Sequence, residues 1–280
     1  MNNNRFFKGW AKPGPPAPGA GVDAPADGET LDAISGDWRI FQLKQGHRFS
    51  TDDLLTAYYG TCWCPGARTI LDLGSGLGTV GMIAAWRLPG ARLVTVEAQE
   101  ESVALAKKSA RYNGLEARCD IRCGDFRGPD ILRAEEKFDL VLGSPPYFPL
   151  DAGVHGDHPQ KIACRFELRG DIADYCRTAA RHLDFGGWFA CVFPVQPVAQ
   201  QRRVETAARE AGLVIIRWRP VILREGEPPL LGLFAMCRAD HLPEWFRGQT
   251  WTEPPLIIRT KDGEVHPEYQ ALKLSIGFPP

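Results

Sequence analysis

Two short stretches of the chain carry residue types and spacings that could do chemistry. The first is Asp72-Leu73-Gly74-Ser75-Gly76-Leu77-Gly78, and the second is Gly143-Ser144-Pro145-Pro146-Tyr147-Phe148-Pro149. A glycine-rich turn between a strand and a helix lets a ligand touch the backbone. The spacing of Gly74, Gly76 and Gly78 is not the GxGxxG pattern that cradles a pyrophosphate. Asp72, just ahead of the loop, would repel an anion and suits a ligand with a cationic amino group. Glu97 closes the next strand, where a carboxylate can accept hydrogen bonds from both ribose hydroxyls. Asp125 follows the third strand, and there it can accept from an exocyclic amine such as that of adenine.

The second stretch suits methyl acceptance by an amine. An exocyclic aromatic amine is a poor nucleophile because its lone pair is delocalised into the ring. Two acceptors aimed at its hydrogens, Ser144 Oγ and the Pro145 carbonyl, would draw the nitrogen toward tetrahedral geometry. Pro145 and Pro146 have no N–H to compete and restrict the backbone. Tyr147 offers a flat face for a base flipped out of its stack, a role for its ring more than its hydroxyl.

The elements that must position these residues alternate between strand and helix. Apolar runs at Thr69–Leu73, Arg92–Val96, Ala117–Arg122 and Phe138–Leu142 read as strands. Helical spacing recurs at Gly78–Leu88, Glu100–Tyr112, Asp171–Leu183 and Val198–Glu210, and Asn113-Gly114 is a good terminator. Further strands are expected at Trp188–Phe193, Leu213–Trp218 and Leu230–Cys237. This alternation implies an α/β fold with a doubly wound, mostly parallel sheet and helices on both faces. Ligands then sit at the carboxyl ends of the strands, at the switch point of strand order. Residues 1–34, rich in Pro, Gly and Ala, read as a disordered tail. Residues 35–240 form the expected domain, and 241–280 an extension packed on it. The segment 150–170 reads as a polar loop at the active edge, with Lys161, Arg165 and Arg169 available for phosphates.

Composition narrows the class. The chain has 280 residues, 33 Lys and Arg against 34 Asp and Glu, and 44% hydrophobic residues. This balance excludes collagen-like, coiled-coil and fully disordered chains, and it gives no global basic field. No apolar run is long enough for a membrane span. The eight cysteines form no CxxC pair, so a zinc ribbon is not expected and reduced cysteines in the cytoplasm are. His155 and His158 lack a carboxylate-and-histidine set to join them, and no metal is expected.

The ordered set Asp72, Gly74, Gly76, Gly78, Glu97 and Asp125 resembles the class I S-adenosylmethionine-dependent methyltransferases, over roughly residues 68–237. The resemblance implies a Rossmann-like, seven-stranded sheet and S-adenosyl-L-methionine as cofactor. The Ser144-Pro145-Pro146-Tyr147 turn resembles the branch that methylates adenine N6, cytosine N4 or a glutamine amide. The run Phe49-Ser50-Thr51-Asp52-Asp53-Leu54-Leu55 and the stretch 256–269 resemble bacterial tRNA(Val) adenine-N6 methyltransferases. By that likeness Phe49, Ser50, Thr51 and Asp52 line the methionine end. A tRNA substrate is implied, with a protein glutamine amide, a small aromatic amine or a non-catalytic cofactor-binding module as alternatives. The sequence does not set the oligomeric state; a monomer is favoured.

Overall fold

The computed structural model describes residues 6–7, 10–11, 23–149 and 158–278. Phe6–Phe7 (β1) and Trp10–Ala11 (β2) pair antiparallel, as do Glu29–Ala33 (β3) and Arg39–Leu43 (β4). Strand β3 falls inside the stretch that the sequence reads as a tail to residue 34. Its weakly apolar Glu29–Ala33 gives little local signal, and it is held by the ladder to β4 and by Lys108, whose Nζ reaches Glu29 Oε2 at 2.6 Å. Strands β1 and β2 depart from the same expectation, and its stretches at 1–5, 8–9 and 12–22 lie outside the described residues.

The other elements follow in chain order. They are Thr51–Trp63 (α1), Thr69–Leu73 (β5), Thr79–Arg87 (α2), Arg92–Glu97 (β6), Glu100–Tyr112 (α3), Cys119–Cys123 (β7) and Phe138–Gly143 (β8). After them come Pro159–Arg165 (α4), Ile172–His182 (α5), Leu183–Pro194 (β9), Val198–Glu210 (α6), Leu213–Arg224 (β10) and Leu231–Arg238 (β11). Trp251–Thr252 (β12), Leu256–Arg259 (β13) and Pro267–Ser275 (α7) complete the chain.

The main sheet runs β7-β6-β5-β8-β9-β11-β10, and only β11 is antiparallel to its neighbours. These are the seven strands the resemblance implies. Strands β12 and β13 add in parallel to the outer side of β10, making nine. Sequence reading missed them as sheet members because each is too short to show a period. Segment 150–170, read as a loop, carries helix α4, started by Pro159 at its first position and by the His158 side chain accepting from Gln160 N.

Strand order reverses between β5 and β8, which sets the crevice for a ligand. Alternate residues of the central strands face opposite layers. Ile70, Leu140 and Leu142 join helices α1, α2 and α3 in one core, and Leu71, Leu73 and Val141 join α5 and α6 in the other. Each fully buried leucine or valine contributes about 1.5–3 kcal/mol relative to exposure. Helix α5 shows why it docks: Ile172, Tyr175, Cys176 and Ala179 make one buried stripe. The far end of the chain joins the first core. Leu256, Ile258, Tyr269, Leu272 and Ile276 pack there, Gly36 N donates to Gly277 O at 2.8 Å, and the Phe49 and Phe278 rings meet at 6.0 Å.

Candidate active site

At the carboxyl ends of β5, β6 and β8 lies a cavity of about 700 Å³, within the usual range for small-molecule sites. Its wall brings together most of the residues singled out in the sequence. Ser50, Asp52, Asp72, Gly74, Gly76, Glu97, Asp125, Ser144, Pro145, Pro146, Tyr147, Lys161, Arg165 and Arg169 all line it. Phe49, Thr51 and Gly78 do not. Phe49 turns its ring to Phe278 and Thr51 stands against Tyr269. Gly78 is the N-cap of α2, behind the wall.

The glycines of the loop have different reasons to be there. Gly76, at φ 53°, has open space where a side chain would begin, so a ligand can approach its backbone. Gly74, at φ 58°, is glycine because of a residue far along the chain: a Cβ there would collide with the Tyr175 hydroxyl from α5. Glu97 is buried and ties the loop to the next turn. Its Oε2 accepts from Gly76 N at 2.9 Å and its Oε1 from Gln99 N at 2.7 Å. Each oxygen keeps a further lone pair for a ligand hydroxyl. Asp125 accepts from Arg127 N and Nε at 2.9 Å. The Arg127 side chain holds the carboxyl of Asp125 below its ordinary value.

The floor of the cavity is acidic. Burial pushes the Asp72 carboxyl up to about 8, offset in part by the Gly81 N–H that it accepts at 2.8 Å and reinforced by Asp53 and Glu97. Burial likewise pushes Asp53 up to about 7, against the lowering effect of the Ser50 N–H that it caps. A cationic ligand in the cavity would favour the ionised form of both. Sequence reasoning misses Asp53 as a wall residue, although it adjoins Asp52. It misses Ser75 too: the Ser75 Oγ is buried on the cavity wall and has no hydrogen-bond partner among the described residues.

The turn after β8 departs from expectation at one atom. Tyr147 Oη donates to Asp52 Oδ2 at 2.6 Å, while its ring stands edge-on to Phe193 at 5.7 Å and 82°. The hydroxyl therefore joins the turn after β8 to the first turn of α1. Burial raises the Asp52 carboxyl above its ordinary value, and the Tyr147 hydroxyl counters that rise. Tyr147→Phe is expected to leave this carboxylate short of a donor, at about 1–3 kcal/mol. The loss should appear as a lower melting temperature and slower turnover. Wild-type values of both would show that the bond contributes nothing.

Comparison with known proteins identifies the family. The methyltransferase small domain family matches residues 57–162, from α1 through the turn after β8 into α4. A tRNA1(Val) (adenine(37)-N6)-methyltransferase of Bacteroides thetaiotaomicron is 30% identical over 205 residues, covering 68% of this chain and 80% of the relative. The chain belongs to the methyltransferase small domain family of S-adenosylmethionine-dependent enzymes. A release factor glutamine methyltransferase of Aliivibrio fischeri is 34% identical over 131 residues, covering 44% of this chain and 45% of that protein. The fold of this methyltransferase is shared with a predicted O-methyltransferase from Agrobacterium tumefaciens, at TM-score 0.58 and 21% identity over 81% of this chain and 98% of that one.

S-adenosylmethionine is the methyl donor, and the cavity of the methyltransferase fits it. The unpartnered Ser75 Oγ, the open backbone at Gly76 and the acidic floor suit a ligand with hydroxyls and a net cationic end. Among the described residues no group of three His, Cys, Asp or Glu could hold a metal ion, and no helix is long and apolar enough to cross a membrane. His155 lies outside the described residues.

Proposed function

We propose that this methyltransferase acts in the cytoplasm on adenine N6 of a tRNA. The observation that carries this reading is the extent of the likeness. The match to the tRNA enzyme of Bacteroides runs over 68% of the chain, whereas the match to the glutamine enzyme stops at 44%. The cationic side chains of Lys161, Arg165 and Arg169, which line the same cavity as Ser144, support it, since a polyanionic acceptor needs such partners.

Bound S-adenosylmethionine supplies a methyl group on an already electrophilic sulfonium, so the protein has mainly to orient the two partners. In this reading Glu97 accepts from the ribose hydroxyls, Asp125 faces the cofactor's adenine amine, and Asp72 faces the methionine amino group. Ser50 and Asp52 close the methionine end. Ser144 Oγ and the Pro145 carbonyl would each accept one N–H of the target amine and so orient its lone pair. Pro146 fixes the turn, and Tyr147 flanks the base while its hydroxyl holds Asp52.

Nucleoside mass spectrometry of total tRNA, from cells with and without the protein, tests the acceptor. N6-methyladenosine should disappear with the protein. Unchanged tRNA together with loss of methyl-glutamine from a protein fraction would replace the RNA reading with the glutamine one. The phosphate-binding role has its own test. Replacing Lys161, Arg165 and Arg169 together by alanine should weaken RNA binding across sequences and flatten the salt slope by about one unit for each phosphate no longer neutralised. Wild-type affinity in that variant would send the search for the RNA surface elsewhere.

A further inference from the structure

Helix α4 follows the catalytic turn, yet its fastenings lie on the opposite side of the cavity. Gln160, on its first turn, is 2% exposed. Its Oε1 accepts from His47 N at 2.7 Å, and its Nε2 donates to Ser102 Oγ at 3.0 Å. His47 belongs to the turn between β4 and α1. Ser102 is buried on the first turn of α3, just beyond Glu97 and Gln99. One turn further along α4, Cys164 Sγ accepts from Gln99 Nε2 at 3.6 Å. The fit at Gln160 is close: a Cβ on Gly46 would collide with its Oε1.

A single buried amide thus bridges three segments that are far apart in sequence. Both its ends are matched, the oxygen by a backbone donor and the nitrogen by a hydroxyl. Removing it would leave the His47 N–H and the Ser102 hydroxyl to find new partners in a confined space. Helix α4 also carries Lys161 and Arg165, and both cations line the cavity. Sequence alone places them purely on the acceptor side. In the structure they ride on an element anchored to the turn that carries Glu97.

We propose that Gln160 is a positioning residue for methyl transfer, which pins α4 across the cavity so that the donor-side turn, with Glu97 and Gln99, and the cations of α4 are held as one unit. The proposal rests on the cofactor occupying this cavity and is independent of which amine is methylated. Donor binding at the Glu97 turn then also steadies Lys161 and Arg165.

The test uses the full chain, S-adenosylhomocysteine as the probe, and calorimetry with hydrogen exchange over residues 159–165. In the wild type the probe should slow exchange in that segment. Gln160→Met, which keeps the volume and removes both hydrogen bonds, should weaken probe binding about tenfold, the effect of losing a typical pair of such bonds. It should also abolish the added protection of 159–165 and raise KM for the acceptor more than it lowers kcat. Ser102→Ala should weaken binding less, and should have no further effect on top of Gln160→Met, because both variants break the same link. A structural role alone would lower the melting temperature without this non-additivity or the KM-against-kcat split. Probe affinity within twofold of wild type in Gln160→Met, with protection retained, overturns the proposal. Glu97→Ala is the control: if it too binds the probe normally, the placing of the cofactor in this cavity falls, and the proposal with it.

Discussion

Ser144→Ala is expected to lower kcat for methyl transfer about 100-fold, the low end of what one preorganised hydrogen-bonding group contributes in a transition state. It should leave affinity for S-adenosylhomocysteine unchanged. The reasoning is geometric. Ser144 lies on the wall just after β8, while the loop and the Asp72, Glu97 and Asp125 carboxylates proposed for the cofactor come from β5, β6 and the turn after β7. Alanine removes one of two acceptors for the amine hydrogens and leaves the Pro145 carbonyl. Ser144→Asn offers an amide oxygen at the same turn and should retain most of the activity. Single-turnover kinetics on an RNA acceptor, alongside calorimetry, separates the two quantities. A parallel fall in both would put Ser144 in donor binding instead.

Glu97→Ala carries the second large effect, on the other substrate. Hydrogen bonds to a charged group are worth about 1.5–3 kcal/mol each. A loss of about 2–3 kcal/mol, roughly 30- to 150-fold in affinity, is expected for S-adenosylhomocysteine. The structure adds a reason beyond the ribose. Glu97 already accepts from Gly76 N and Gln99 N, so its removal also loosens the glycine loop. Glu97→Gln separates the two contributions, because its amide nitrogen can no longer accept from one of those N–H groups while its oxygen still can. Wild-type affinity in a folded Glu97→Ala protein would place Glu97 away from the bound cofactor.

The parts of this molecule legible in the sequence are those whose cause is local. Glu100–Tyr112 and Val198–Glu210 fold over the ranges their apolar spacing predicts, because each helix carries its own period and its own stop. The loop from Asp72 to Gly78 and the turn from Ser144 to Tyr147 are contiguous, so both motifs can be singled out in the sequence. The illegible features depend on partners distant in the chain. Gly74 is constrained by Tyr175, the Tyr147 hydroxyl by Asp52, and α4 by His47 and Ser102. Strand β3 makes sense only beside β4. No period in a single segment encodes such pairings, since they arise from packing after collapse.

The helix that carries Asp52 and Asp53 has consequences for synthesis. It leaves the ribosome early, but Phe49 and Thr51 at its start rest on Phe278 and Tyr269, and Gly36 is bonded to Gly277. A domain generally folds as a unit, and here the first turn of α1 lacks its support until the stretch around α7 has emerged. A nascent chain halted before Pro267 would carry both sequence motifs and leave the start of α1 without these contacts.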